Sequence, residues 1–292
     1  MASKTIIGQC ALCRQKNVEL KLGHIVPHLV GRYLAKTSPG SLRSTANPNK
    51  PVQDIEKHYL LCGRCEELFS AKETWFSNNI FLPYKNGLKC EFDYGKDLAY
   101  FIVSLSWRSL YLDLDDYVKN QSLSLENLAV LFHAEQVMRE FLLGQREDLE
   151  NIENHMFFLD RVDHNDYTKT LAGLNQTLHR SITSYSRCAD KTIFTISNLA
   201  GIMIVTFYSV DAQEHWLNTK IELNGGCVRA ENQYVNSAVG QDIARWSNQI
   251  KDMNNTMSDT QKKKIQDKCE KLGDAIKKYP IYQDWLDDYS EK

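Results

Sequence analysis

Two pairs of cysteines have the spacing that lets one tight turn aim two sulfur atoms at a single metal ion. They are Cys10-x-x-Cys13, in the stretch CALC, and Cys62-x-x-Cys65, in the stretch CGRC. Zinc prefers four tetrahedral ligands and binds thiolates well. The two pairs therefore predict one four-cysteine zinc site, closed across 48 intervening residues. The second pair opens a predicted helix, whose N-terminal dipole favours thiolate.

Two other interpretations use the same cysteines. The pairs could have arisen by chance among buried thiols, or they could hold iron, although glycine-rich loops usually follow the cysteines of such iron sites. A disulfide framework is disfavoured, because the start of the chain, MASKTIIGQC, lacks the apolar core of a signal peptide. The longest apolar stretch, LAYFIVSLSWRSLYLDL, contains Arg108 and several serines and predicts a buried helix. We expect a cytoplasmic protein with no membrane segment.

The charge is distributed unevenly along the 292 residues. Residues 1–95 hold 13 Lys and Arg against 8 Asp and Glu, a balance of +5, and residues 96–292 hold 22 against 29, a balance of −7. The sum is the net charge of −2. A basic N-terminal part joined to an acidic C-terminal part favours a nucleic-acid partner for residues 1–95.

Periodicity and turn residues predict an α+β protein that divides near residue 95. In residues 1–95 we expect a hairpin strand (VELKL), a helix opened by Pro27, an irregular proline-rich loop over 38–54, a strand (KHYLL) and a helix from Cys62 onward. In residues 96–292 we expect helices at 96–118 and 124–146, the second capped by Ser124. Antiparallel strands over 155–235, with a hairpin turn at NLAG, and a charged helical end from Ser237 complete the prediction.

Three stretches in this order, CALC, GHIVP and YLLCGRCEELF, resemble the pattern of the HNH endonuclease family. The resemblance covers about residues 8–80 and implies a treble-clef (ββα-metal) zinc module at the N-terminus, followed by a mixed helical and antiparallel-sheet domain of unknown role. It also implies hydrolysis of phosphodiester bonds in DNA or RNA with a divalent ion, Mg²⁺ or Mn²⁺. Members of the family often act in bacterial defence against foreign nucleic acid.

Carried over by position, the resemblance makes His24 the general base, which takes a proton from the attacking water. Two positions depart from the family pattern. The residue before the base, usually an Asp or His metal ligand, is Gly23, and the residue after the last cysteine, usually His, is Glu66. A carboxylate is a suitable ligand for Mg²⁺ or Mn²⁺. The catalytic metal centre is therefore expected to use Glu66, His58 and His28.

Each of these residues also has an ordinary structural interpretation. A histidine after a strand is commonly a hydrogen-bonding group, a histidine on a helix surface is common in any protein, and glutamates at a helix start are stabilised by the dipole alone. The same holds for the basic residues near the proposed site, which would bind phosphate groups or form a solvated face: Arg32, Lys36 and Arg43.

Two functions follow as expectations. The first is a metal-dependent HNH-like endonuclease. The second is a non-catalytic zinc module that binds nucleic acid or protein and has a degenerate nuclease centre, as Gly23 would suggest. Residues 96–292 contain no Gly-rich phosphate loop, nucleophile elbow or His-Glu-x-x-His motif. The sequence leaves open a homo-oligomer or a partner subunit.

Overall fold

The computed structural model describes residues 5–160, 171, 173–189 and 191–289. It consists of helices and antiparallel strands, so the α+β class is confirmed in that coarse form. The helices are α1 His28–Lys36, α2 Gly63–Phe76, α3 Leu82–Lys85, α4 Lys96–Asn120, α5 Leu125–Leu142, α6 Leu174–Arg180, α7 Gly240–Thr256, α8 Asp259–Leu272 and α9 Pro280–Tyr289. A π-helical turn (Ser77–Phe81) joins α2 to α3, and a 3₁₀ turn (Gly273–Lys278) joins α8 to α9.

The strands form small antiparallel sheets and one larger sheet. They are β1 Ile6–Gly8, β2 Val18–His24, β3 Arg43–Ser44, β4 Asn47–Pro51, β5 Lys57–Cys62, β6 Glu91–Tyr94, β7 Glu153–Phe158, β8 Ile182–Ala189, β9 Thr192–Leu199, β10 Ile202–Ser209, β11 His215–Leu217, β12 Gly226–Arg229 and β13 Tyr234–Asn236. The four-stranded sheet has the order β7-β10-β9-β8, and a three-stranded sheet has the order β1-β2-β5.

The three-stranded sheet brings the two cysteine pairs together. Strand β2 pairs with β1 on one side and with β5 on the other, in a register that sets Leu20 opposite Cys62 and His24 opposite Lys57. Helix α2 begins directly after Cys62. The predicted strands and the helix that follows them are confirmed, and the sheet places the end of β2 beside the beginning of β5.

The segment 38–54 differs from the prediction, because it contains the short hairpin β3–β4 rather than irregular chain alone. Two of its prolines, Pro48 and Pro51, lie within β4. A two-stranded hairpin consists entirely of edge strands, where proline removes no ladder hydrogen bond on the open side. The prolines of this segment are therefore compatible with pairing of β3 and β4, because they lie on edge strands.

Helix α4 is buried on nearly every side over residues 101–110. It packs against α2 and α5 on one side and against β8, β9 and β10 on the other. Serines on α4 meet hydroxyl groups of the sheet, as in the hydrogen bond between Ser106 and Thr206 at 2.8 Å. These pairs explain how polar residues can occupy an otherwise apolar helix. In the described part of the chain, no helix combines the length and apolar character needed to cross a membrane.

Two local predictions in the second half are confirmed. The Ser124 hydroxyl accepts a hydrogen bond from the backbone N–H of Asn127 at 3.2 Å and so caps α5. The NLAG stretch forms the turn between β9 and β10, with Ala200 at φ 54° and Gly201 at φ 97°. A two-residue hairpin loop in a type I′ turn requires positive φ at both of its central residues.

The hydrophobic core continues across residue 95. Leu12, Leu61 and Phe69 belong to the same buried cluster as Trp107 and Leu110 of α4. The Phe69 and Trp107 rings meet edge to face, with their centroids 6.1 Å apart. The division into residues 1–95 and 96–292 stays a prediction, and the packing makes the stability of the first segment depend on α4.

Asp113 on α4 gives the fold a pH dependence that can be measured. Burial raises the pKa of this carboxyl from 3.8 to about 6, while the Ser186 N–H donates to it at 2.5 Å. Between these two pH values the folded state keeps a proton that the unfolded state has lost, so stability falls as the pH rises. We expect Asp113→Asn, which still accepts from Ser186, to stabilise the fold by about 1 kcal/mol above pH 6 and by less near pH 4.

The measurement is thermal unfolding of both proteins across this pH range. A difference in melting temperature that stays constant from acid to neutral pH would show that Asp113 does not titrate in this way. Ser124→Ala serves as a control, because removing this helix cap should cost about 1 kcal/mol at every pH.

Candidate metal centres

The four cysteines predicted from their spacing form one cluster. Their sulfur atoms all lie within 4.8 Å of one another, and three of the four residues are buried. The sulfurs of Cys13 and Cys62 are 3.9 Å apart. Four thiolates bound to zinc at about 2.3 Å would be separated by about 3.8 Å along each edge of the tetrahedron. The cluster can therefore hold a zinc ion with little rearrangement.

The surroundings of Cys10 favour its thiolate. The Cys62 N–H donates to the Cys10 sulfur at 3.4 Å. Hydrogen bonds from the Cys65 thiol and from backbone N–H groups lower the pKa of Cys10 to about 4, whereas the same proton sharing and burial raise the pKa of Cys65. One thiolate thus forms readily, and a bound cation would displace the protons that Cys13 and Cys65 retain.

A second cluster lies at the far end of the β2–β5 pair. His24, His28 and Asp54 each contribute a ligand atom, and these atoms lie within 4.8 Å of one another. Asp54 Oδ1 is 3.1 Å from His24 Nε2 and 3.6 Å from His28 Nε2. The two imidazole rings are stacked, with centroids 4.6 Å apart and planes inclined by 5°. Both Nε2 atoms therefore converge on one carboxylate oxygen.

The local sequence explains this convergence. His24 ends β2, and Pro27 immediately precedes the first residue of α1, His28. Proline favours that junction, since its φ is already set for a helix start. Asp54 precedes β5, which runs antiparallel to β2 with Lys57 opposite His24. A strand end, a helix start and the approach to the neighbouring strand meet at one point.

Asp54 is held as an anion and His24 as a neutral imidazole. The Lys57 ammonium contacts Asp54 Oδ2 and, as the largest cause, lowers the pKa of that carboxyl far below its usual range. The Ile55 N–H donates to Oδ1 at 2.9 Å. Burial lowers the pKa of His24 in spite of the nearby carboxylate. A neutral imidazole is the form that coordinates a metal ion or accepts a proton.

The donor set and spacing fit a divalent transition metal with an open coordination position. Two imidazoles and one carboxylate are a common protein ligand set for zinc, manganese or iron. Bond lengths of about 2.0–2.1 Å imply ligand separations of about 3.3 Å in a tetrahedron, close to the 3.1 and 3.6 Å observed. Because Lys57 contacts the other carboxylate oxygen, Oδ1 faces the two imidazoles.

Sequence reasoning found His24 and His28 and missed Asp54. The signal was present in the strand pattern. Once VELKL and KHYLL are paired as an antiparallel hairpin, the residues just before the second strand must lie beside the end of the first. Two carboxylates precede that strand, Asp54 and Glu56, and Asp54 is the one that joins the histidines. The expectation of an irregular loop over 38–54 assigned no partner to it.

Glu66, expected as a ligand, lies beside Gly23 and outside both clusters. A Cβ placed on Gly23 would lie 2.0 Å from Glu66 Oε1. Neighbouring side chains of a strand point to opposite faces, so Glu66 is on the other face of β2 from the His24 ring. Burial raises the pKa of Glu66, and the charge of Arg108 opposes that shift. The absence of a side chain at Gly23 makes room for this carboxylate.

Arg108 of α4 fastens this part of the site to the body of the protein. Its side chain is only 4% exposed, and its Nη1 donates to the His24 carbonyl oxygen at 2.8 Å and to Glu73 Oε1 at 2.7 Å. The guanidinium also lies over the Phe69 ring at 5.3 Å. The backbone of the residue that bears the imidazole is therefore held by a helix from beyond residue 95.

The other predicted site residues have separate positions. His58 Nε2 contacts Glu56 Oε1 at 2.7 Å, and His58 lies opposite Gly23 in the sheet, outside the His24 cluster. Arg43 donates to the Pro48 carbonyl and to Gln261 of α8. Arg32 and Lys36 are exposed on α1, one and two turns along the same helix face from His28.

Comparisons with known proteins found no match for this chain. No protein-family model matches it, and neither curated proteins nor solved structures gave a match. The likeness to HNH endonucleases therefore rests on the quoted residues alone. What the described residues establish is a four-cysteine cluster able to hold zinc and a second cluster of two histidines and an aspartate.

Proposed function

We propose that this protein is a metal-dependent, HNH-like phosphodiester hydrolase acting on nucleic acid. The observation that carries the proposal is the convergence of His24, His28 and Asp54 at the end of the sheet that the four-cysteine cluster anchors. The hairpin between the cysteine pairs, followed by a helix from Cys62, supports a treble-clef interpretation of the first 95 residues. A place in bacterial defence and in the cytoplasm stays a prediction.

The residues of the chain divide the chemistry among them. His24, His28 and Asp54 would hold the ion, Zn²⁺ or Mn²⁺ by donor type and Mg²⁺ less readily. When bound, a divalent ion acts as a Lewis acid toward a phosphate oxygen and lowers the pKa of water. Lys57 fixes the Asp54 carboxylate. Arg32 and Lys36 form a cationic row that begins one turn from His28 and suits the backbone of a polyanion.

His24 has two candidate roles that require the same protonation state. The resemblance makes it the general base, and the geometry favours it as a ligand. In either role a neutral imidazole is needed, which agrees with its lowered pKa. If His24 is the base, Asp54 would orient its ring. If His24 is a ligand, Asp54 would bind the same ion. The two roles differ in what happens to metal binding when the ring is removed.

A second candidate function, a binding module without catalysis, is favoured by one observation. The position before His24 carries no side chain, and the nearby Glu66 carboxylate lies within the field of Arg108 rather than among the histidines. In that case the zinc-bound sheet would position Arg32 and Lys36 for binding, and no bond would be broken.

The test is cleavage of plasmid DNA and of RNA by the zinc-loaded wild type with Mn²⁺, Mg²⁺ or added Zn²⁺, compared with His24→Ala. We expect metal-dependent cleavage by the wild type and a loss of about 100-fold or more in the variant. Mn²⁺ binding that survives His24→Ala would assign the base role, whereas joint loss would assign the ligand role. Binding of nucleic acid without cleavage by the wild type would support the module instead.

A further inference from the structure

Helix α8 lies far along the chain from the candidate centres and yet is attached to the segment that leads into them. Arg43 donates to the Gln261 side chain at 3.2 Å, and the Ser258 N–H donates to Asn49 Oδ1 at 2.8 Å. Both partners belong to the β3–β4 hairpin. Asp54 follows Pro51, the last residue of β4, by three positions. The hairpin thus connects α8 to the Asp54 side of the second cluster.

Helix α8 and the 3₁₀ turn after it carry more positive than negative charge. Residues 259–278 contain seven lysines and four acidic residues, a balance of +3. Since the whole chain has a net charge of −2, the remaining residues sum to −5. No residue of α8 is fully buried. A local excess of positive charge on an acidic protein is a feature that electrostatic attraction to a polyanion would use.

The lysines of α8 are arranged by face. Half-buried residues recur at the spacing that turns one face toward the protein, and they are Gln261, Ile265, Cys269 and Leu272. Beside that face, Lys264, Lys268 and Lys271 follow one another at i, i+4 and i+7 and are all exposed. The acidic residues Asp267 and Glu270 fall on the other side of this row. The helix therefore carries a lysine row: Lys264, Lys268 and Lys271.

These three ammonium groups form no salt bridge with described residues. Within the described part of the chain, the salt bridges include Lys277 with Asp274 but no pair that uses a member of the lysine row. The row starts one turn from Gln261, which Arg43 contacts. It extends about 10 Å at 1.5 Å per residue, a length that matches about three successive phosphates of one strand in a duplex.

We propose that the lysine row of α8 binds the phosphate backbone of the nucleic acid whose hydrolysis is proposed above, outside the candidate centre itself. The hairpin that Arg43 braces would fix the row relative to Asp54, so that one strand contacts both. The inference rests on the proposed function for its substrate class. It concerns a surface more than 200 residues away in sequence, which the resemblance to HNH endonucleases does not cover.

The experiment measures binding as a function of salt. The triple variant Lys264→Gln, Lys268→Gln, Lys271→Gln is compared with the matched variant Lys262→Gln, Lys263→Gln, Lys278→Gln, which removes the same charge from other exposed positions of α8 and the turn after it. The probes are a duplex DNA and an RNA oligonucleotide of about 30 nucleotides, with fluorescence anisotropy as the readout.

For the row variant we expect affinity to fall at least about tenfold and the slope of log K against log salt to become shallower by about 2 to 3. For the matched variant we expect a change of about twofold or less in affinity. Equal losses of affinity in both variants would show that overall charge alone sets the affinity and would overturn the proposed role of the lysine row. So would unchanged binding in the row variant, or row-dependent binding to phosphatidylserine vesicles with none to nucleic acid.

The failure of this inference can be told apart from that of the proposed function. Hydrolysis of bis(p-nitrophenyl) phosphate by the wild type reports on the candidate centre without any need for an extended surface. Nucleic-acid binding that depends on the lysine row, with no hydrolysis of the ester or of nucleic acid, would contradict the proposed hydrolase and support the lysine row. Metal-dependent hydrolysis with binding that does not depend on the row would support the hydrolase and contradict the lysine row.

Discussion

Replacing Cys62 by serine is expected to release zinc and to unfold the N-terminal part of the protein. The Cys62 sulfur lies within 4.8 Å of the other three cysteine sulfurs, and the Cys62 N–H donates to Cys10. Serine supplies no thiolate, so three ligands remain and the affinity for zinc falls steeply. Structural zinc contributes about 10–16 kcal/mol of apparent binding free energy in small domains, as much as the whole stability of a typical domain or more.

The consequences should extend beyond the first 95 residues. Cys10, Cys62 and Cys65 lie in the same buried cluster as Trp107 and Leu110 of α4. Loss of the zinc would therefore expose part of the surface on which α4 packs. We expect a lower melting temperature for the whole chain, a loss of its cooperativity, and increased binding of hydrophobic dyes.

The measurement combines zinc content by mass spectrometry with circular dichroism during heating. Cys90→Ser is the matched control, because Cys90 is exposed and lies outside the cluster. We expect that variant to keep one zinc per chain and its melting temperature. A Cys62→Ser protein that retains both zinc and the wild-type melting curve would end the proposal of a four-cysteine zinc site.

Replacing Asp54 by alanine is expected to abolish metal-dependent cleavage while leaving the fold intact. Asp54 Oδ1 is the atom on which both His24 and His28 converge, and within the described residues Asp54 is the one carboxylate of that cluster. Removing it leaves two imidazoles, which bind a divalent ion much more weakly than two imidazoles with a carboxylate. Lys57 would also lose its anionic partner and place an unpaired cation near the histidines.

We expect cleavage to fall by about 100-fold or more in Asp54→Ala. Asp54→Asn should lose nearly as much activity, although its amide oxygen can still accept from the Ile55 N–H. This variant distinguishes the loss of the negative charge from a loss of local structure. The matched control is Asp115→Ala, an exposed aspartate that is also paired with a lysine, Lys119. Activity in Asp54→Ala equal to that of Asp115→Ala would remove Asp54 from the centre.

The sequence predicted the parts of the site that depend on local spacing. A Cys-x-x-Cys turn fixes two sulfur atoms through a few backbone angles, so both pairs and the helix after Cys62 were predictable from residues within one turn of each other. His24 and His28 come together for a similar reason, since Pro27 starts a helix only three residues after the strand end.

The parts that require pairing between distant residues were less accessible. Asp54 reaches the histidines only through the register of β2 against β5, and Glu66 reaches Gly23 through the packing of α2 beneath that sheet. Helix periodicity predicted α8 and its lysines but not the bonds that join α8 to Arg43 and Asn49 across the length of the chain. Likewise, the boundary near residue 95 follows a change in composition, which carries no information about Arg108 contacting the His24 carbonyl.

The most direct test of the account is whether His24, His28 and Asp54 hold a divalent ion. The measurement is the affinity for Mn²⁺, monitored by electron paramagnetic resonance. It compares zinc-loaded wild type, His28→Ala and Asp54→Ala. We predict one Mn²⁺ per chain in the wild type and affinity lowered by about tenfold or more in each variant. Equal affinity in all three proteins, or no binding by the wild type at millimolar Mn²⁺, would contradict the proposed centre.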